Sequence, residues 1–94
     1  MTSISNLPPD ARADITARLK RIEGQARGIQ KMLEDGRDCA EVLNQIAAIK
    51  AATNALSVEM LEAFALHCFR NADQFENPEQ AVSDAVRALI RAGR

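Results

Sequence analysis

The sequence predicts an all-α fold, and three observations lead to this prediction. Apolar residues recur at alternating steps of three and four along long segments, which is the spacing of one helix face. The composition is rich in alanine and leucine, and its only aromatic residues are three phenylalanines. Four glycines and three prolines suffice only for short connections, and no segment has the composition of a β-strand. We therefore expect a protomer of three helices.

The first helix is expected to begin at Pro8, Pro9 and Asp10. Proline suits a first turn, and an acidic residue is stabilised by the positive end of the helix dipole. Gly36 is the expected stop. The apolar stripe between these points has heptad spacing and consists of Ile15, Leu19, Ile22, Ala26, Ile29 and Leu33. The sequence before the helix is polar and unpatterned, so we expect a flexible tail over residues 1–9 and a single domain over residues 10–94.

The second helix is expected to begin at the N-cap Asp38, with Glu41 three residues later in a variant of the capping box. Its apolar surface is too wide for one neighbour and comprises Val42, Leu43, Ile46, Ala47, Ile49, Ala51, Thr53, Leu56, Val58, Met60, Leu61 and Phe64. Asn77 and Pro78 predict the start of a third helix. This shorter helix should form a lid over the hairpin of the first two.

Ninety-four residues form one domain, and a single core of that size is marginal unless subunits share it. We therefore expect an oligomer. The first twenty residues contain no apolar leader, and no segment reaches membrane-spanning length, so we expect a cytoplasmic protein without a membrane partner. Thiols in the cytoplasm are mostly reduced, which argues against a permanent disulfide between the two cysteines.

Positive charge is concentrated in the first helix. The whole chain has a net charge of −1, but residues 12–31 have a local charge of +4. This charge predicts a basic surface that could bind nucleic acid. The alternative is the ordinary solvated face of an amphipathic helix.

The two cysteines, Cys39 and Cys68, lie 29 positions apart at opposite ends of the second helix. On one straight helix they would be ~43 Å apart, so they cannot meet within one chain. If two such helices pack antiparallel about a twofold axis near Thr53 and Asn54, Cys39 of one chain lies beside Cys68 of the other. The helix N-terminus also favours the thiolate form of Cys39, which is both a nucleophile and a soft-metal ligand. Two inert packing cysteines are the alternative.

One run of residues resembles a known family. The sequence from Arg18 to Ile29, RLKRIEGQARGI, followed by Cys39 and by VLNQIAA from Val42 to Ala48, is similar to the CsoR family of bacterial transcriptional repressors. The resemblance covers residues 10–92. It implies an antiparallel four-helix-bundle dimer that assembles into a disc-shaped tetramer, a dimer of dimers. It also implies a repressor, not an enzyme, that binds operator double-stranded DNA and releases it when an inducer acts between subunits. The DNA contacts that we expect are Arg18, Lys20, Arg21, Arg27, Lys31 and Lys50.

The branches of this family sense different inducers and differ at a few positions. Copper-sensing members have a histidine four residues before the second cysteine, where this chain has Phe64, and phenylalanine cannot ligate a metal. The formaldehyde-sensing branch has a proline where this chain has Thr2, and the nickel and cobalt branch needs histidines that are absent. The chain most resembles the persulfide-sensing, CstR-like branch, in which reactive sulfur species join Cys39 to Cys68 of the neighbouring subunit and no cofactor is needed.

Two alternatives stay open at this stage. The first is a Cu(I)-responsive repressor that holds the metal with Cys39 and Cys68, with His67 as a less suitable third ligand because adjacent helix residues point ~100° apart. The second is a structural helical adaptor that only mediates oligomerisation. An enzyme is disfavoured, because no histidine or carboxylate is placed beside a nucleophile and there are too few ligands for a zinc site.

Overall fold

The computed structural model describes residues 3–92 of the chain, which form three α-helices and two short 3-10 turns. Helix α1 spans Pro9–Glu34, helix α2 spans Cys39–Arg70 and helix α3 spans Pro78–Ala92. The 3-10 turns are Ile4–Asn6 and Ala72–Gln74. The prediction of an all-α protomer with three helices is confirmed for these residues. The expected ends of the tail and of the domain, residues 1–2 and 93–94, lie outside the described residues.

The predicted caps define the starts of α2 and α3. The Asp38 carboxylate accepts a hydrogen bond from the Ala40 backbone N–H at 3.1 Å, and α2 begins at the next residue, Cys39. The Asn77 side chain accepts one from the Gln80 N–H at 3.1 Å before α3 begins. Each bond satisfies one of the free N–H groups at a helix start. Glu41 pairs with Arg37 at 2.6 Å, in place of the expected capping-box contact.

The turn between α1 and α2 is built around Gly36, which has a φ angle of +67°. The Arg37 N–H donates to the Met32 carbonyl at 3.0 Å, and the Gly36 N–H donates to the Leu33 carbonyl at 3.3 Å. These two bonds form a Schellman motif, which requires a left-handed residue that glycine supplies without strain. The short, fully bonded turn folds α1 and α2 into a helical hairpin.

The N-terminal segment has more structure than the tail that the sequence predicts. Ser3 caps the first 3-10 turn by accepting a hydrogen bond from the Ser5 N–H at 3.3 Å. Leu7 is only 3% exposed. It lines a cavity of about 680 Å³ together with His67 and Asn71 at the C-terminal end of α2. Leu7 therefore packs at this end of the hairpin, while residues 3–6 remain exposed.

The protomer has almost no core of its own. Among residues 3–92, the buried apolar side chains are Leu7 and Cys68. The radius of gyration is 16.8 Å, compared with about 12 Å for a compact domain of this length. Within the same range, none of the helices is both long enough and apolar enough to cross a bilayer. The large apolar side chains that remain exposed include Leu19, Leu33, Leu43, Ile46, Val58, Leu66, Phe69 and Ile90.

Candidate functional site

The two thiols lie at opposite ends of α2 and have different surroundings. Cys39 is the first residue of the helix and is exposed, whereas Cys68 is 0% exposed. Because one continuous helix separates them, the rise per residue puts their backbones ~43 Å apart. A single chain therefore cannot bring the two sulfur atoms together. A site that uses both cysteines requires two chains.

Burial raises the pKa of the Cys68 thiol, because the surrounding protein disfavours the charged thiolate. The sequence predicts that Cys68 is the less acidic of the two cysteines because it lies near a helix C-terminus. In the structure, desolvation shifts its pKa in the same direction. Cys39, in contrast, is open to solvent beside the Asp38 cap. The two thiols therefore differ most in their accessibility to reagents.

The exposure difference gives a prediction for native protein. Iodoacetamide should alkylate Cys39 first, and Cys68 should react only when the C-terminal end of α2 opens, since a buried thiol with a raised pKa is both covered and protonated. Mass spectrometry of peptides after timed quenching would measure the two rates. A Cys39→Ser variant isolates the Cys68 rate, and urea-unfolded protein provides the control in which both thiols react. Equal native rates would contradict the burial of Cys68.

His67, next to Cys68, is buried and not half-exposed as its position near a helix end suggests. Its ring packs edge-on against Phe75, with centroids 5.9 Å apart and planes at 81°. The side-chain nitrogen of Asn71 lies 3.0 Å from the His67 carbonyl oxygen and 3.3 Å from Nδ1 of the ring. These contacts fasten the end of α2 to the following turn. His67 thus has a packing role, and one of its ring nitrogens is already engaged.

Phe64 occupies the position where a histidine would complete a three-ligand site. It is half-buried and lines an apolar cavity of about 480 Å³ among the three helices, together with Ile15, Met60 and Leu89. Within residues 3–92 of a single chain, no group of three or more His, Cys, Asp and Glu residues could hold a metal ion. The thiols of Cys39 and Cys68 are therefore the soft donors that two chains could offer together.

The basic residues expected to contact DNA do not all lie on one face. All six are exposed. Lys20 lies 7 residues before Arg27 and 11 residues before Lys31. These spacings are close to two and three helical turns, so the three residues share one face of α1. Arg27 also pairs with Glu23 at 3.4 Å. Arg21 is rotated ~100° from Lys20, and Lys50 lies on α2.

Arg18 is placed differently, because it flanks the apolar stripe of α1 and pairs with Glu59 of α2. Glu59 could not be identified from the sequence, since an ion pair between two helices depends on their relative packing and has no local signal. In the structure, the Oε1 atom of Gln25 is buried and has no hydrogen-bond partner within the described residues.

Comparison with known proteins gives consistent matches. The model of a family described as "metal-sensitive transcriptional repressor" matches residues 11–91. The copper-sensing transcriptional repressor CsoR of Bacillus subtilis is 49% identical over 72 residues, which cover 77% of this chain and 71% of that protein. The copper-sensing transcriptional repressor RicR of Mycobacterium tuberculosis is 40% identical over 79 residues, which cover 82% of each chain.

A solved structure extends the likeness to the fold. The crystal structure of the copper-sensing repressor CsoR with Cu(I) from Geobacillus thermodenitrificans superposes with a TM-score of 0.78 at 36% identity. The match covers 100% of this chain and 95% of that one. The three-helix protomer is therefore shared with a solved repressor along its whole length.

Proposed function

This chain belongs to the family of metal-sensitive transcriptional repressors, and from that membership we propose that it binds operator DNA and releases it when an inducer acts on Cys39 and Cys68. The family consists of transcriptional repressors and not of enzymes. The observation that carries the proposal is the family match over residues 11–91 in a chain that keeps one cysteine at each end of α2.

The proposed functional unit is a dimer or a dimer of dimers. Exposed apolar side chains on both long helices, such as Leu33, Leu43 and Ile46, support it, because a protomer with so little core gains stability by covering them. An antiparallel arrangement of two α2 helices would place Cys39 of one chain at the end of α2 that contains Cys68 of the other. The inducer site would then exist only in the assembly.

Cu(I) is the inducer that the comparisons favour. The two relatives and the solved structure described above are copper-sensing repressors. Two thiolates are the soft donors that Cu(I) prefers, so Cys39 and Cys68 of a second chain fit a two-coordinate site. His67 is a poor third ligand, since Asn71 and Phe75 hold its ring within its own chain.

Reactive sulfur species are the second candidate inducer, and Phe64 is the observation that favours them. A cavity-lining phenylalanine in place of a histidine leaves two thiols and removes a metal ligand. A polysulfide would oxidise Cys39 and Cys68 of two chains to a disulfide or a longer sulfur bridge and would itself be reduced. The CstR-like branch thus stays a proposal that rests on this substitution.

Either inducer must reach a sulfur atom that is buried in the protomer. Cys68 therefore has to become accessible before it binds Cu(I) or forms a bridge. The C-terminal end of α2 is held by the contacts of His67 with Asn71 and Phe75, and opening of this end would provide that access. Occupation of the site would hold this end open and change the packing of α1 against α2, which is how a signal at the thiols would reach the basic helix.

The test combines DNA-binding titrations with intact mass spectrometry under denaturing, non-reducing conditions. Reduced protein is treated separately with Cu(I) and with polysulfide, and the DNA is a duplex that this protein has selected from genomic promoter fragments. Release by stoichiometric Cu(I) without a covalent change would support the copper proposal. Release only after polysulfide, with covalently linked chains, would support the persulfide alternative. No DNA retention at physiological salt would overturn both and favour an adaptor.

A further inference from the structure

One ion pair connects the proposed DNA-binding helix to the helix that contains both thiols. The Arg18 guanidinium nitrogen Nε of α1 contacts the Glu59 carboxylate oxygen Oε2 of α2. It is the one ion pair that joins two α-helices within residues 3–92, since the others are Arg27 with Glu23 and Arg37 with Glu41. A movement of α2 relative to α1 must therefore change the position of Arg18 or break this contact.

The surroundings of Glu59 make it dependent on Arg18. Its side chain is 24% exposed, whereas that of Arg18 is 44% exposed. The Glu59 Oε2 atom is shielded from solvent and has no hydrogen-bond partner within the described residues, so the guanidinium is its main compensation. A shielded carboxylate that loses its cation is left with a desolvation cost.

The cavity around this pair has an excess of negative charge. It has a volume of about 590 Å³ and is lined by the carboxylates of Asp14, Glu59 and Glu62, with Arg18 as the only cation among its lining residues. Two further carboxylates near the pair raise the free energy needed to withdraw Arg18 from the cavity. Arg18 is thus held on the flank of α1, away from the face formed by Lys20, Arg27 and Lys31.

We propose that Glu59 is a positioning residue that competes with DNA phosphate for Arg18. This inference rests on the proposed function, because it assumes that α1 binds DNA. In the conformation described here, Glu59 holds Arg18 and the residue makes no phosphate contact. On DNA, the Glu59 carboxylate and a phosphate oxygen compete for the Arg18 guanidinium, so Arg18 contacts a phosphate in only part of the wild-type complexes.

This competition supplies a route from the thiols to the DNA. Glu59 lies on α2 between Cys39 and Cys68 and nine residues before the buried thiol. An inducer that shifts α2 toward α1 would favour the carboxylate over the phosphate and would remove one cation from the DNA interface. The contribution of Arg18 to DNA affinity would then depend on the position of α2. Lys20, Arg27 and Lys31 would contribute affinity that does not change with inducer.

The decisive experiment measures how DNA affinity depends on salt for Glu59→Gln and for a matched control, Glu62→Gln. Both variants remove one negative charge from the same cavity, but only Glu59 pairs with Arg18. If Glu59→Gln frees Arg18 for a phosphate, the slope of log K against log salt should steepen by up to about 0.9 for each protomer in contact with the duplex, and Kd should fall by about three- to tenfold at low salt. Glu62→Gln should change the slope much less, because Glu62 lines the cavity without pairing with Arg18.

The variant Arg18→Gln, combined with Glu59→Gln, gives a double-mutant cycle. In the Glu59→Gln background it should restore the original slope, whereas in the wild-type background its effect on the slope should be smaller. Circular dichroism melts check folding, and Glu59→Ala provides a second variant if Glu59→Gln folds poorly. Equal slopes for Glu59→Gln and Glu62→Gln, in a wild-type protein that binds DNA and responds to inducer, would overturn this inference alone. Failure of the wild type to bind DNA would overturn the proposed function instead.

Discussion

Replacement of Cys39 by serine is expected to preserve operator binding and to abolish release by inducer. Cys39 is exposed at the start of α2 and is not one of the basic residues expected to contact DNA, so its loss should not weaken DNA contacts. A serine hydroxyl neither binds Cu(I) as a thiolate does nor forms a sulfur bridge. The coupling free energy that drives release, typically about 1–3 kcal/mol or a 5- to 150-fold change in Kd, should fall to zero.

Fluorescence anisotropy of a labelled operator duplex, with and without inducer, measures this coupling. Ala40→Ser is the matched control, because it introduces the same hydroxyl one residue later in an exposed helix start and keeps the thiol. This control should respond to inducer as the wild type does. Release of the Cys39→Ser variant by both Cu(I) and polysulfide would show that the inducer acts elsewhere.

Replacement of Leu43 by glutamate is expected to prevent assembly and to destabilise the fold. In the isolated protomer this side chain is 64% exposed, and a surface substitution of that kind changes stability by about 0.5 kcal/mol or less. If a second chain covers Leu43, the same change buries an unpaired charge and costs several kcal/mol. The loss of stability expected for an assembled chain is therefore severalfold larger than the loss expected for an isolated protomer.

Sedimentation equilibrium gives the mass of each variant, and thermal melts at several protein concentrations give its stability. Leu43→Met is the control, since it keeps an apolar side chain of similar volume and should retain the assembly. The Leu43→Glu variant should sediment as a monomer and lose DNA binding, because binding requires the repeated basic faces of several protomers. An unchanged mass would exclude this face of α2 from the interface.

The starts of the helices could be predicted because their signals are local. Asp38 and Asn77 each satisfy an N–H group within three residues, and the Gly36 turn needs a left-handed residue at one defined position. No distant part of the chain is required for these interactions. The periodic stripes likewise follow from helix geometry alone, so the three-helix protomer could be predicted from sequence.

The burial of individual site residues could not be predicted in the same way. His67 is covered because α2 continues into a turn whose residues Asn71 and Phe75 contact it, and the burial of Cys68 beside it likewise has no signal in the pattern of α2. Leu7 lies in a segment with no periodicity. The partner of Arg18 depends on how α1 and α2 are packed. The choice between the two proposed inducers involves Phe64 and contacts between chains, and a pattern within one chain does not describe such contacts.

The Schellman turn at Gly36 couples the start of α2 to the direction of α1. Its hydrogen bonds leave the junction little freedom, so we expect a change of direction at Cys39, three residues beyond Gly36, to turn α1 as a whole. Arg18 lies about 27 Å along the helix from Gly36. A rotation of about 7° at this elbow displaces Arg18 by about 3 Å, which is close to the 3.4 Å rise of one nucleotide. A small rotation at the thiol end would thus shift Arg18 along the duplex axis by about one base-pair step.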